Sequence, residues 1–233
     1  MNEPIIWTSE KDGHILDFNP KTHRYYLKKA GEDRRRPVVS VTTIKRGFPQ
    51  SEALIKWRVA QGMEEYIAGG KLEKAGDIGN LAHELYPKVE KGEKFEAPQI
   101  PELQNILRLH GEWYEKRGKY DDVQGREVIM AHPQYMVGGT LDRYVIRDGK
   151  MGLQDYKSGK SIYDSDFFQL AWYDILAEFW LGVRFDFWEI IRFGKEDDEP
   201  DTKKLSDPDI MRDFREQTIR NLQTYRFMVK YKP

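Results

Sequence analysis

The chain contains no cysteine. Disulfides, thiolate metal sites and a cysteine nucleophile are therefore excluded. A cysteine-free chain fits a reducing cytoplasm, which is the expected location. No apolar run approaches the roughly 18 residues that a membrane-spanning helix needs, so no membrane partner is expected. Met1–Trp7 has neither a basic leading region nor a long apolar core, so no secretory signal is expected. A large excess of charge is missing too: the net charge is −1. A protein that coats a duplex shows a strongly basic domain. Near-neutrality speaks against that mode but suits an enzyme that grips a few phosphates in a channel.

Charge is present in quantity, but unevenly. Residues 211–233 carry six basic residues against two acidic ones, and this tail reads as a solvated helix face or a DNA contact. Glu196-Asp197-Asp198-Glu199-Pro200-Asp201 reads as an acidic loop. No repeat or low-complexity linker interrupts the 233 residues. One domain is expected over 1–233. Its parts would be a hairpin and helical region (1–118), a catalytic sheet core (119–195), and an acidic loop with a C-terminal helix (196–233).

Periodicity predicts strands over 14–18 and 23–28 with Asn19-Pro20-Lys21 as the turn, then a polar loop from Gly31 to Pro37. Ser40 caps a short helix ending near Gly47. A second helix starts at Ser51 and is closed by Gly69-Gly70. A third runs from Asp77 to Val89, and a fourth from Pro101 to Arg117. Strands follow at Val123–Met130, Tyr135–Arg147 and Met151–Lys157. A helix over Asp166–Leu181 leads to a strand over Phe185–Phe193, and a last helix covers 208–230. The helix after Lys157 allows the last of these strands to run parallel to the one before it. The sum is a mixed α/β fold with a small mixed central sheet flanked by helices and an N-terminal helical and hairpin extension.

The most informative segment is a hairpin. Asp148-Gly149 stands between two runs of apolar, aromatic and β-branched residues, a strong signal for a two-residue turn. Arg147 then pairs with Lys150, and continuing that register places Asp142 opposite Asp155. Like charges so placed repel, with Cβ atoms about 4.5–5.5 Å apart. A divalent cation offsets the repulsion, and hard cations favour carboxylates together with phosphate oxygens. Lys157 lies two residues beyond Asp155 and projects from the same face. A lone D-x-K is weak: Asp148-Gly149-Lys150 and Asp201-Thr202-Lys203 have the same form. Neither of those faces another acid.

Set in order, Gly79-x3-His83, Gly139-Thr140-Leu141-Asp142, Asp155-Tyr156-Lys157 and Gln169-x3-Tyr173 resemble the PD-(D/E)XK nuclease superfamily. The similarity is greatest to the RecB-like branch of phage and mitochondrial single-strand exonucleases. His23-Arg24-Tyr25-Tyr26 and the stretch from Pro37 to Ile44 resemble that branch's leading segment. The resemblance covers about residues 14–195 and implies a restriction-endonuclease-like core. It implies a Mg²⁺- or Mn²⁺-dependent DNA exonuclease holding one or two ions and acting on single strands or strand ends. The setting implied is recombination, replication or genome processing in a phage or prophage, with a recombination or replication protein as partner. Some relatives hold an iron–sulfur cluster on four cysteines; this chain cannot.

Asp142, Asp155 and Lys157 are the expected catalytic group. Asp142, Asp155, His83 and, by resemblance, the Tyr156 carbonyl are the expected metal ligands. An imidazole suits Mn²⁺ as well as Mg²⁺. Lys157 is a general base only if its pKa is lowered, yet neighbouring carboxylates push it up, which favours positioning and electrostatic stabilisation. Glu127 is a further ligand or a structural acid paired with Arg126 or Arg143. Gln169 and Tyr173 share one helix face and by resemblance contact substrate or Lys157. Ser40, Thr42 and Thr43 cap a helix, hold a phosphate, or do both. The other readings are a structure-specific or nicking endonuclease and a non-catalytic nuclease-fold DNA-binding module.

Overall fold

The computed structural model describes residues 7–46 and 71–230. The helix expected between Ser51 and Gly70 lies outside the described residues. Among the described residues there are nine strands: β1 (Trp7–Lys11), β2 (His14–Asn19), β3 (Arg24–Lys29), β4 (Arg36–Ser40), β5 (Asp122–His132), β6 (Val137–Arg147), β7 (Lys150–Lys157), β8 (Phe187–Arg192) and β9 (Asp201–Leu205). The helices are α1 (Val41–Arg46), α2 (Lys71–Glu90), α3 (Pro101–Lys116), α4 (Asp164–Trp180) and α5 (Pro208–Lys230).

The strands join in the order β1-β2-β3-β4-β6-β7-β8-β9, with β5 on the other edge of β6. The β4–β6 and β7–β8 pairs are parallel and the remaining pairs antiparallel. This is the expected mixed sheet flanked by helices. It extends further than expected in three places. β1 precedes the predicted N-terminal hairpin. β4 forms at the end of the polar loop, with Pro37 on it, and joins that hairpin to β6. β9 starts at the end of the predicted acidic loop and pairs with β8.

Helices cover both faces of the central strands. Along β8, Ile190 enters the core shared with α4, and Ile191 enters a second core shared with α2 and α3, as the two-residue period of a strand requires. Twelve of the seventeen α4 residues are buried, so this helix is wrapped on nearly all sides rather than lying on the surface. Its Trp172 is fully buried, as is Trp188 of β8 in the same core.

The β6–β7 turn forms as predicted: Asp148 and Gly149 both have positive φ (53° and 71°), and Arg147 pairs with Lys150. The register holds as far as Arg143 opposite Gln154. The ladder ends there, so the expected direct pairing of Asp142 with Asp155 does not form. β4 pairs with β6 only at Val137 and Gly138, and β7 pairs with it only from Arg143 onward. Because β5 occupies the other edge along almost the whole strand, β4 and β7 share one edge of β6. They leave a fork at Gly139–Asp142, and the candidate site lies in that fork.

Candidate metal centre

Side-chain alternation breaks on both strands beside the fork. On β6, Leu141 joins the α4 core whereas Arg143 lies over the Trp113 ring of the other core, 5.5 Å from its centroid. On β5, Arg126 reaches Glu90 of α2, and Val128 packs on the α4 core. A regular strand would send residues two apart to the same side. Glu127 absorbs the change with φ +48°, a left-handed conformation that costs a non-glycine residue of order 1–3 kcal/mol. Glu127 lies between the pairs Arg126–Arg143 and Val128–Leu141, which puts it opposite Asp142.

The result is a cluster of acids facing a histidine. His83 of α2 brings Nδ1 to 3.5 Å from Asp142 Oδ1 and 4.0 Å from Glu127 Oε1. One ligand atom from each of His83, Glu127 and Asp142 falls within 4.8 Å of the others. Glu127 is thus brought among the candidate ligands, and Arg126, rather than Glu127, makes the structural ion pair. Asp142 Oδ2 accepts the Tyr156 backbone N–H at 2.7 Å, which leaves Oδ1 to face the cluster. Asp155 lines the same cavity but is not within that tight triad. Its carboxylate is ion-paired with Lys157 and accepts a bond from Gln169 Nε2 at 3.3 Å. The Tyr156 side chain points into the second core, where its hydroxyl donates to Glu90.

Two glycines let these elements come so close. A Cβ on Gly139 would lie 2.8 Å from the Tyr173 ring, and one on Gly79 would lie 3.0 Å from Ser158 Oγ. Gln169 donates to the Tyr173 hydroxyl at 2.8 Å. At the opening of the cavity, Ser40 Oγ bonds Thr43 Oγ1 at 2.7 Å and Thr42 Oγ1 at 3.1 Å, and accepts the Thr43 N–H. Ser40 therefore does cap α1, while all three hydroxyls line the cavity.

The cavity has a volume of about 1570 Å³, beyond the roughly 300–1,000 Å³ usual for a small-molecule site. His83, Glu127, Asp142, Asp155, Lys157, Gln169 and Tyr173 all border it.

No protein-family model and no curated protein matches this chain. Among solved structures, the chain is similar to an alkaline exonuclease from Laribacter hongkongensis, with 10% identity, 84% of this chain and 92% of that one covered, and a TM-score of 0.39. The same exonuclease in complex with dAMP gives 12% identity, coverage of 83% and 90%, and a TM-score of 0.39. The structure of SSO0001 gives 17% identity, coverage of 50% and 57%, and a TM-score of 0.29. Scores this low decide neither family nor activity.

The electrostatics of the site are those of crowded acids. Burial first, then the charges of Asp142 and Asp155, push the Glu127 carboxyl well above its usual range. The Glu127 side chain is nevertheless 47% exposed, because the cavity in front of it is open, and water there tempers the shift. Burial also raises Asp155; Lys157 opposes that rise and Asp142 adds to it. Burial alone would lower Lys157, but Asp155, Asp142 and Asp166 outweigh it and hold the ammonium charged. Crowded carboxylate oxygens facing an imidazole nitrogen are a donor set that fits a hard or borderline divalent ion such as Mg²⁺ or Mn²⁺.

Lys45 of α1 is part of the site and escapes sequence reasoning. It is ion-paired with Asp166 and donates to Gln169 Oε1 at 3.1 Å. No motif marks it, and its partners lie more than 120 residues away in the chain.

Proposed function

We propose that this chain is a divalent-metal-dependent nuclease of the PD-(D/E)XK superfamily, RecB-like branch, which hydrolyses DNA phosphodiester bonds as an exonuclease on single strands or strand ends. One observation carries the reading: Glu127 and Asp142 close on His83, and Asp155 on the next strand, paired with a charged Lys157, lines the same cavity, which is large enough for a chain of nucleotides. In this reading His83, Asp142, Asp155 and the Tyr156 carbonyl hold Mg²⁺ or Mn²⁺, one or two ions, and Glu127 joins them. The ion supplies acidity for the attacking water and positive charge for the leaving oxygen.

The chain's own groups supply orientation. A protonated Lys157 donates rather than abstracts, so it aligns the water or a phosphate oxygen and stabilises charge that develops there. Gln169 holds Asp155, and Tyr173 holds the Gln169 amide. The Ser40, Thr42 and Thr43 hydroxyls offer donors to a flanking phosphate. Tyr163 at the cavity rim is 49% exposed and offers a face on which an unpaired base can stack. DNA recombination, replication or genome processing in a phage or prophage is the setting this reading carries.

The test is cleavage of end-labelled linear single-stranded, blunt duplex and closed circular DNA with Mg²⁺ or Mn²⁺. Linear single strands should be degraded from an end, blunt duplex slowly, and circles not at all; chelator should abolish cutting. Rapid cutting of circular single strands would favour an endonuclease. Tight metal-independent binding with no cutting would favour a binding module.

A further inference from the structure

Glu90 lies behind the metal centre and touches none of its groups directly. It stands seven residues after His83 on α2, two turns along on the same side of the helix. Its side chain is 2% exposed. Oε1 accepts the Tyr156 hydroxyl at 3.0 Å and lies 3.3 Å from His110 Nε2, and Oε2 accepts Arg126 Nε at 2.7 Å. A second Arg126 nitrogen closes on the same oxygen at 2.5 Å.

The partners of this carboxylate adjoin the candidate ligands in the chain, and Tyr156 also offers its own carbonyl as one. Arg126 immediately precedes Glu127. Tyr156 separates Asp155 from Lys157, and its own N–H binds Asp142. A single carboxylate therefore ties together α2, β5 and β7, the three elements that carry His83, Glu127, Asp155 and Lys157. Buried ion pairs add little stability compared with apolar packing. What this one provides is a fixed placement of α2 against β5 and β7 beside the fork, which no strand ladder can set.

We infer that Glu90 is a positioning residue of the metal centre, joining Arg126 and Tyr156 so that the ligands on three separate elements stay within reach of one ion. The inference rests on the nuclease reading above. Groups that orient metal ligands typically change affinity about 10–100-fold when removed.

The test reads metal binding itself, by terbium luminescence and Mn²⁺ titration of the whole chain, for wild type, Glu90→Gln and Tyr156→Phe. Glu90→Gln keeps the shape but turns an amide donor toward the Arg126 guanidinium or gives up the Tyr156 bond. It should weaken binding at least about 10-fold. Tyr156→Phe deletes one hydroxyl and its hydrogen bond and should weaken binding about 3-fold or more. Arg215→Gln breaks a partly buried ion pair with Asp174 between α4 and α5, away from the ligands. It should lower thermal stability and leave metal affinity unchanged. Wild-type binding with unchanged affinity in Glu90→Gln overturns the inference and spares the nuclease reading. If Glu90→Gln does not fold, unchanged affinity in Tyr156→Phe overturns it instead. Absence of metal binding by the wild type overturns both.

Discussion

Asp142 uses one oxygen to accept the Tyr156 backbone N–H at 2.7 Å and turns the other toward His83 at 3.5 Å. The first bond replaces a ladder bond where β6 and β7 part, and the second faces the site. The two roles separate on substitution. Asp142→Ala should leave a buried N–H unpaired, at a cost of about 1–3 kcal/mol in urea unfolding. Asp142→Asn keeps an acceptor, loses a charge that faces Glu127, and should cost little. Cleavage should fall more than about 100-fold in both, since a metal ion supplies several kcal/mol to the transition state. Equal stability of the two variants would show that the Tyr156 bond does not form.

Glu127 carries both strain and repulsion in the metal-free protein. Its folded pKa is raised, so the cost of ionising it begins above the unfolded value and is complete only above the folded one. Glu127→Gln should therefore stabilise the chelator-treated protein, by about 1 kcal/mol once cavity water is allowed for, with a larger gain at pH 8 than at pH 5. Saturating Mn²⁺ should reverse the sign. Glu127→Gly also relieves the left-handed backbone and should gain a further ~1 kcal/mol. A Glu127→Gln gain in melting temperature that persists with metal would remove Glu127 from the ligand set.

Acid should act on the second core. Burial alone would raise Glu90, but His110, Arg143 and Arg126 draw it down to about 2. Burial lowers His110, against the pull of Glu90. In both cases the unfolded state binds more protons, so stability is lost as pH falls. The His110 share goes below about pH 6.5, and the Glu90 share between about 4.5 and 2. For Glu90 this amounts to about 3 kcal/mol. The stability gap between wild type and Glu90→Gln in urea should be wide at pH 7 and should narrow by pH 3. A gap independent of pH would mean that Glu90 is not ionised in the folded protein.

The hairpin with Asp142, Asp155 and Lys157 is legible because Asp148-Gly149 fixes a turn and a turn fixes a register. Glu127 is legible only as a ligand or a structural acid; its place opposite Asp142 is not, although the signal exists. Tyr135 and Met136 read as strand, but they belong to a four-residue loop between His132 and Val137. Placing that loop correctly would set Glu127 opposite Asp142. β4 is hidden because Pro37 and a run of arginines look like loop, and a short strand shows little alternation. β9 is hidden because its residues are almost all exposed, so no apolar face betrays it. Lys45 and Glu90 are hidden for another reason: each matters through partners that only the tertiary fold supplies.

Lys45 provides the last test. Its ammonium donates to Gln169 Oε1 at 3.1 Å, which fixes the Gln169 amide with its nitrogen toward Asp155 and the Tyr173 hydroxyl. Without Lys45 the amide is free to flip and present oxygen to the Asp155 carboxylate. Lys45→Met should lower cleavage by about 10–100-fold, the range for groups that orient a ligand, with half-saturating metal rising as Asp155 loses its orientation. Gln169→Ala should cost about as much. The double variant should be scarcely worse than either single one, because both act through the same contact with Asp155. Lys45→Arg preserves a donor and should recover part of the rate. The Asp166 carboxylate also loses its ion pair in Lys45→Met, so melting temperature is measured alongside to separate rate from folding. Losses that multiply in the double variant would show that Lys45 acts on the substrate independently of Gln169.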